Sequence, residues 1–247
     1  MKEQRPEADQ YGFVKTLNNQ GFMTEYLDSF SAAFTQFAAI APGPSLDIGA
    51  AYGVATIEAL KAGATVIAND SDERHLEILK SSAYATSGEL VRSRLILKPG
   101  SFPDDLEFKE GELGAVLACR VFHFFDGPTI EKGIAKVHKW LAKGGRFFLV
   151  GETPYVGGVQ KFVPRYEERS RNGDSWPGFI EDFQSLDPIR GKDLPKQMHL
   201  LDEHVLRRAF EAAGFKVLEA SKFPRPQFPP NLRLDGRESV GIIGVKQ

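Results

Sequence analysis

The stretch "SLDIGAAYGVATIEAL", residues Ser45 to Leu60, decides the fold of this chain of 247 residues. A short apolar run over Leu46–Ile48 leads into a turn from Gly49 to Gly53, and a helical pattern follows from Val54. Glycine lets a backbone approach a ligand closely because it has no side chain. The stretch therefore predicts a strand, a ligand-binding turn and a helix, and the question is which ligand the turn holds.

Strands and helices continue to alternate after this turn. Further strands are predicted in "TVIAND", "RLILKPG", "GAVLACRVF", "RFFLVGE" and "FKVLEASKF", with helices over Glu73–Thr86, Thr129–Ala142 and "LDEHVLRRAFEAAG". This alternation predicts a mostly parallel sheet covered on both faces. The last run, "SVGIIGVKQ", has no room for a crossover helix before it, so we expect it to pair antiparallel with the sixth strand. Before the sheet, a helix capped by Thr24 is predicted to end at Pro42.

Composition excludes several classes of function. The formal net charge is −2 and no long basic block occurs, so we expect no nucleic-acid partner. The single cysteine, Cys119, cannot form an internal disulfide and suits a reducing compartment. The N-terminus lacks an apolar signal core, and no run of about 18 apolar residues is present. We therefore predict a cytoplasmic protein with no membrane partner.

The glycine turn argues against phosphate ligands. It lacks the Gly-x-Gly-x-x-Gly of dinucleotide-binding turns and the Gly-Lys-Ser/Thr of phosphate loops. Asp47, before the turn, fits a cationic ligand better. Asp70 ends the second strand, where a carboxylate can accept hydrogen bonds from both ribose hydroxyls. Alternatively Asp70 opens a turn or caps the next helix, although Ser71 and Asp72 are the stronger cap candidates.

Five motifs together resemble the class I S-adenosylmethionine-dependent methyltransferases. The resemblance covers about Leu46 to Leu149 and resumes from Leu201 to the end. The motifs, in order, are "LDIGAAYG", "VIANDSD", "GAVLACRVFHFF", "IAKVHKWLAKGGRFFLVGE" and "LRRAFEAAGFKVLEA". The resemblance implies an α/β fold with a Rossmann-like seven-stranded, mostly parallel sheet, helices on both faces, an antiparallel last strand and a cap insertion after strand 5. It also implies S-adenosyl-L-methionine as cofactor.

The same resemblance implies a set of cofactor-binding residues. After the third strand the family often has an acidic residue near the adenine, whereas "LKPGSFPDDLEF" places Ser101 and Phe102 there. Phe102 either covers the adenine while Ser101 gives a polar contact, or both belong to an ordinary loop. Tyr52 either flanks the methionine tail or only packs. The predicted cofactor-binding residues are Asp47, Gly49, Ala50, Tyr52, Gly53, Asp70, Ser71, Ser101, Phe102 and Arg120.

The acceptor side is predicted from the fourth strand onward. His123 is the candidate general base, the alternative being a packed histidine. Arg120 either contacts an anion or forms a plain ion pair. Cys119 is interpreted as a structural thiol, and no histidine has metal-binding spacing. In the cap, residues 154–198, six aromatic residues are expected to line the pocket: Tyr155, Phe162, Tyr166, Trp176, Phe179 and Phe183.

These features predict one methyltransferase domain over residues 1–247, with an N-terminal arm and helix over residues 1–44 and the cap over residues 154–198. The predicted activity is methyl transfer by in-line displacement to a small-molecule acceptor that is partly apolar or aromatic. The alternatives are a methyltransferase-like binding protein without catalysis, a nicotinamide-dependent oxidoreductase, and a methyltransferase with a protein acceptor. A homodimer is left open.

Overall fold

The computed structural model of the protein describes residues 4–87 and 89–247. The strands, numbered in chain order, are β1 (Phe13–Lys15), β2 (Phe22–Thr24), β3 (Ser45–Ile48), β4 (Val66–Asp70), β5 (Leu95–Pro99), β6 (Leu113–Cys119), β7 (Leu141–Glu152), β8 (Phe179–Ile180), β9 (Met198–His199), β10 (Lys216–Phe223) and β11 (Ser239–Val245). The α-helices are α1 (Ser29–Ala38), α2 (Val54–Lys61), α3 (Glu73–Ser87), α4 (Glu89–Arg92), α5 (Gly127–Trp140), α6 (Val163–Arg171), α7 (Phe183–Leu186) and α8 (Glu203–Ala212).

Seven of these strands form one mixed sheet in the order β10-β11-β7-β6-β3-β4-β5. The five strands from β7 to β5 in this order pair in parallel. β11 lies antiparallel between β10 and β7. The predicted fold class is therefore confirmed, including the antiparallel final strand.

Helices cover both faces of the sheet because the strand residues are apolar on both sides. Neighbouring residues of a strand point to opposite faces, and β7 shows this directly. Phe147 joins the apolar core formed with α5 and α8, while Phe148 joins the core formed with α1, α2 and α3. On the first face, the rings of Phe147 and Phe210 are stacked with their centroids 5.0 Å apart.

Two predicted helix boundaries were wrong. The first helix is capped by Asp28, whose carboxylate accepts from the backbone N–H groups of Phe30 and Ser31, and Thr24 instead lies in β2. The helix predicted to end at Ala142 ends at Trp140, and β7 begins at the next residue. In both cases the residues next to the helix had a helical sequence pattern but are held in a strand by pairing with a neighbouring strand.

The cap, residues 154–198, forms a small layer with its own apolar cluster. It contains α6, α7 and the antiparallel pair formed by β8 and β9. Phe228 and Leu232, from the loop between β10 and β11, complete that cluster. The cap and this loop therefore pack against each other above the carboxyl edge of the sheet. Within the described residues, no helix has both the length and the apolar character needed to cross a bilayer.

The stacked pair of Phe147 and Phe210 gives a test of how α8 docks on the sheet. Phe210 is fully buried, so Phe210→Ala should lower the free energy of unfolding by about 3–5 kcal/mol. Urea denaturation monitored by circular dichroism measures this change. Leu218→Ala removes an exposed side chain of β10 and should cost less than about 0.5 kcal/mol. Equal effects of the two substitutions would contradict the docking of α8 described here.

Candidate active site

A cavity of about 480 Å³ lies at the carboxyl ends of the central strands. This volume is within the range of roughly 300–1,000 Å³ typical of ligand sites. In the sheet, β3 is flanked by β4 and β6, so the chain reverses its direction of strand addition there, and such switch points are where open α/β sheets bind ligands. The N-terminal arm, the cap and the loop between β10 and β11 supply the other walls.

The glycine turn after β3 forms the floor of the cavity. Gly49 has φ +66°, and a Cβ atom there would lie 2.4 Å from Cγ2 of Val121. Gly53 has φ +85°, and its Cβ would lie 2.4 Å from Cγ of Leu79. Both positions therefore require glycine for backbone conformation and for packing. Gly49, Ala50 and Ala51 line the cavity, whereas Gly53 supports the turn from outside it.

Asp70 holds this turn in place. Its Oδ2 accepts a hydrogen bond from the N–H of Ala51 at 2.9 Å, and its Oδ1 accepts from the N–H of Asp72 at 2.9 Å. Asp70 thus also opens a turn, as the alternative interpretation stated. Its carboxylate still lines the cavity together with Ser71. A carboxylate has about four acceptor positions, so these bonds leave capacity for a ligand hydroxyl.

His75 connects Asp70 to the N-terminal arm. Nε2 of His75 accepts from the N–H of Leu17 at 2.9 Å, so the neutral ring carries its proton on Nδ1, which lies 3.1 Å from Oδ1 of Asp70. The nearby Tyr52 donates its hydroxyl proton to the carbonyl oxygen of Lys15 at 2.8 Å. Tyr52 is buried and does not line the cavity, and its predicted contact with ligand is therefore replaced by a contact with the arm.

Asp47 is the second carboxyl group beneath the turn. Its Oδ2 accepts from the hydroxyl of Thr56 at 2.7 Å. Burial, and secondarily the charge of Asp70, raises the pKa of Asp47 to about 7. Near neutral pH this side chain is thus partly protonated. A cation placed beside it would favour the ionised form, because opposite charges stabilise each other.

The two residues predicted near the adenine, Ser101 and Phe102, lie in different environments. Ser101 is exposed and lines the cavity, while its N–H donates to Oδ2 of Asp105 at 2.9 Å. Phe102 reaches the cavity but packs mainly in the core, where its ring lies 5.5 Å from that of Phe122. Asp104 pairs with Lys132 on the surface. The two carboxylates after β5 are therefore used by the loop and the surface rather than by the cavity.

Arg120 and His123 follow β6 and both line the cavity. Arg120 has φ +60°, and its guanidinium lies over the ring of Phe228 at 4.9 Å. Its Nη2 is buried without a hydrogen-bond partner. Among the described residues no carboxylate forms an ion pair with it, so the plain ion pair left open by the sequence is absent there.

His123 is buried, and its Nδ1 has no hydrogen-bond partner. Burial lowers the pKa of His123 to about 3, and the charges of Arg120 and Arg190 add to this effect. The ring is therefore neutral at physiological pH. A general base is most effective when its pKa lies near the working pH, so this environment disfavours the role of base that the sequence suggested.

The sequence missed part of the cavity wall. Glu152 ends β7, and Arg190 reaches it from the cap, with Nη1 donating to Oε2 at 3.1 Å. The position of Glu152 at a carboxyl strand end was a usable signal, whereas nothing local distinguishes Arg190. The expected lining by six cap aromatics was wrong: Tyr155, Phe162, Tyr166, Trp176, Phe179 and Phe183 do not line the cavity and pack within the protein. Phe13, Phe22, Phe124, Phe125 and Phe228 line it instead.

The described residues do not support a thiolate nucleophile or a metal site. Burial and the charge of Asp28 raise the pKa of the Cys119 thiol to about 12, which opposes a thiolate nucleophile. Across residues 4–87 and 89–247, no group of three or more histidine, cysteine or acidic side chains is arranged to hold a metal ion.

Comparison with known proteins connects this geometry to a family. Residues 46–145 match the family model of a methyltransferase domain. A search of curated proteins finds no significant match. Among solved structures, an S-adenosylmethionine-dependent methyltransferase from Mesorhizobium loti is similar at 15% identity and a TM-score of 0.61, over 88% of this chain and 95% of that chain.

Two other solved structures are similar to a comparable degree. One is an S-adenosylmethionine-dependent methyltransferase from Methanosarcina mazei, at 16% identity and a TM-score of 0.62, over 89% of this chain and 98% of that chain. The other is the glycopeptide N-methyltransferase MtfA complexed with sinefungin, at 18% identity and a TM-score of 0.59, over 89% and 86%. At these identities the likeness shows the fold.

The pKa of Asp47 yields a prediction about cofactor charge. S-adenosylmethionine carries a sulfonium and S-adenosylhomocysteine does not, and two unit charges 4 Å apart interact by about 1 kcal/mol even in water. As Asp47 ionises between pH 6 and pH 8, the preference for S-adenosylmethionine should therefore rise about fivefold. Calorimetric titration of both compounds at each pH measures the ratio. Asp47→Asn keeps the acceptor for Thr56 but cannot ionise, so the ratio of the two affinities should not change with pH in this variant. A ratio that does not change with pH in the natural protein would exclude contact between Asp47 and the sulfonium.

Proposed function

We propose that this chain is a class I S-adenosylmethionine-dependent methyltransferase and that it transfers the methyl group to a small-molecule acceptor by in-line displacement. The match of residues 46–145 to a methyltransferase family model and the shared fold support this proposal. The cofactor, when bound, supplies an electrophilic methyl on a positive sulfur. The observation that carries the proposal is the cavity at the switch point, which places Asp70 beside the glycine turn and continues beyond β3 to Arg120, His123 and Glu152.

The half of the cavity over β3, β4 and β5 fits an adenosyl cofactor. Asp70 and Ser71 supply oxygen atoms for the ribose, and Ser101 and the edge of Phe102 border the neighbouring space. Gly49, Ala50 and Ala51 allow close approach of the backbone, and Asp47 adds a carboxyl group below. Tyr52 and Gly53 contribute indirectly: Tyr52 binds the N-terminal arm, and Gly53 allows the conformation of the turn.

Enclosure supports a small acceptor rather than a protein. The half of the cavity over β6 and β7 is bounded by three segments, represented by Phe13 of the arm, Met198 of the cap and Phe228 of the loop between β10 and β11. Such walls suit a molecule that is partly apolar or aromatic. The chain's small net charge of −2 also disfavours a nucleic-acid acceptor.

The residues of the chain then act by positioning and by excluding water. With a pKa of about 3, His123 is a weak proton acceptor, so we propose that it orients the acceptor by a hydrogen bond. The nucleophile would arrive already unprotonated or lose its proton to water. His123 remains the side chain that we assign to the acceptor.

One observation favours the alternative of a methyltransferase-like protein that binds the cofactor without catalysis. No carboxylate of the loop after β5 faces the cavity, which is compatible with a protein that binds the cofactor without turnover. Methyl transfer to any member of a broad acceptor panel would dismiss this alternative. The single domain over residues 1–247, the cytoplasmic location and the homodimer stay predictions from the sequence.

Asp70→Asn tests the cofactor half of the site. Replacing a charged acceptor by an amide should weaken binding of S-adenosylhomocysteine about tenfold to a hundredfold, since hydrogen bonds to charged groups contribute about 1.5–3 kcal/mol. Isothermal titration calorimetry gives the affinities. Asp104→Asn, an exposed carboxylate paired with Lys132, is the matched control and should bind like the natural protein. Unaltered affinity in Asp70→Asn, with both variants folded, would remove Asp70 from the ribose role.

His123→Gln tests the acceptor half. Glutamine keeps a hydrogen-bonding end, so we expect kcat/KM to fall less than about tenfold, one neutral hydrogen bond being worth about 0.5–1.5 kcal/mol. The shape of its profile between pH 6 and pH 9 should match that of the natural protein. A general base would behave differently: the natural protein would show an inflection that disappears in His123→Gln, with a fall of about a hundredfold or more.

A further inference from the structure

Within the described residues, three side chains on one side of the cavity each have a buried nitrogen atom without a hydrogen-bond partner. The nitrogen atoms of this wall are Nη2 of Arg120, Nδ1 of His123 and Nη2 of Arg190. They come from three separate parts of the chain: the end of β6, the 3₁₀ helix over Phe122–Phe124, and the cap. Buried polar atoms in proteins nearly always have partners, so this concentration points to a ligand atom that completes them.

The arginines near this wall differ in their direct carboxylate partners. Arg190 has two carboxylate partners, since its Nη1 lies 2.9 Å from Oε1 of Glu152 and its Nε lies 2.8 Å from Oδ2 of Asp187. Arg225, which does not line the cavity, lies 3.5 Å from Oδ2 of Asp28. Among the described residues, the guanidinium of Arg120 lies over the ring of Phe228 and forms no ion pair with a carboxylate. Arg120 thus lacks the direct carboxylate partner that Arg190 has.

The wall lies on the opposite side of β3 from the residues that we assign to the ribose and adenine. Asp70 and Ser101 belong to the β4 and β5 half, whereas Arg120 directly follows β6 and Glu152 ends β7. The backbone N–H of Arg120 donates to the carbonyl oxygen of Val150 in β7 at 2.8 Å, and its guanidinium lies over Phe228 of the loop between β10 and β11. An anion bound by Arg120 therefore belongs to the acceptor half.

We propose, on the basis of the proposed function, that the methyl acceptor carries a carboxylate group that binds Arg120, with the apolar or aromatic part of the molecule against Phe228 and Met198. A guanidinium suits a carboxylate because its N–H groups match the two oxygens. A carboxylate on the acceptor would give Arg120 the kind of partner that Arg190 already has in Glu152. A phosphate dianion would bring a second charge into a cavity that already contains Asp28 and Glu152.

The test uses simple carboxylates as probes. Benzoate, phenylacetate, cinnamate and hexanoate, each beside its neutral carboxamide, are titrated calorimetrically into the full chain saturated with S-adenosylhomocysteine. The natural protein should bind at least one acid about tenfold to a hundredfold more tightly than its amide, as expected for a charge-assisted pair. Arg120→Gln should lose this preference, and Arg120→Lys should restore part of it.

A matched control comes from the same loop as Phe228. Arg233 is exposed and does not line the cavity, so Arg233→Gln should keep the full preference. The natural protein and the variants Arg120→Gln, Arg120→Lys and Arg233→Gln should bind S-adenosylhomocysteine with affinities that agree within about twofold. Circular dichroism of the variants confirms that each is folded.

Three results would overturn the proposal. They are equal binding of acids and amides, absence of acid binding across the set, and a preference that survives in Arg120→Gln. A fourth would reassign Arg120: weaker binding of S-adenosylhomocysteine in Arg120→Gln with unchanged binding of 5′-methylthioadenosine would show that it holds the amino-acid carboxylate of the cofactor. If the natural protein binds no S-adenosylhomocysteine, the proposed function fails, and the same titrations without it still decide the role of Arg120.

Discussion

The carboxylate of Asp70 connects the parts on which the rest of the site depends. One oxygen holds the N–H of Ala51 in the glycine turn, and the other receives the N–H of Asp72 at the start of α3 and the ring of His75. The turn contains three residues with positive φ, Gly49, Ala51 and Gly53. A non-glycine residue in that region is uncommon and requires support from its surroundings. Asp70 provides that support while it borders the cavity.

The sequence predicted the sheet well because the signal for it is repeated. β3, β4 and β6 are almost wholly buried and each is followed by a helix. The final run is too close to its predecessor for a crossover. The glycine turn was also predicted correctly. Gly49 and Gly53 both have positive φ, and a side chain there would collide with Val121 or Leu79. Helix boundaries were less accurate because Asp28 and Thr24 are both credible caps in a sequence, and only the position of the sheet selects between them.

The candidate site was predicted in part. Asp47, Gly49, Ala50, Asp70, Ser71, Ser101, Phe102, Arg120 and His123 lie at the cavity. Tyr52 could not be placed, because its environment depends on a chain segment 37 residues earlier. The cap aromatics misled for a related reason: apolar rings satisfy a core and a ligand pocket equally well, and the cap needs a core of its own. The low pKa of His123 follows mainly from burial, with smaller effects of the charges of Arg120 and Arg190. Local sequence does not show that this position becomes buried.

The N-terminal arm and the carboxylate of Asp70 are joined by one chain of hydrogen bonds. Leu17 donates to His75, His75 faces Asp70, and Tyr52 holds Lys15 from the other side of the same turn. Two sites joined in this way are thermodynamically linked, and linkage between binding equilibria is reciprocal. If Asp70 binds an adenosine as we propose, ordering of the arm and binding of the adenosine therefore favour each other by the same free energy. A fusion tag or a deletion before Leu17 would thus act on ligand affinity from outside residues 46–145, the part that matches the methyltransferase family model.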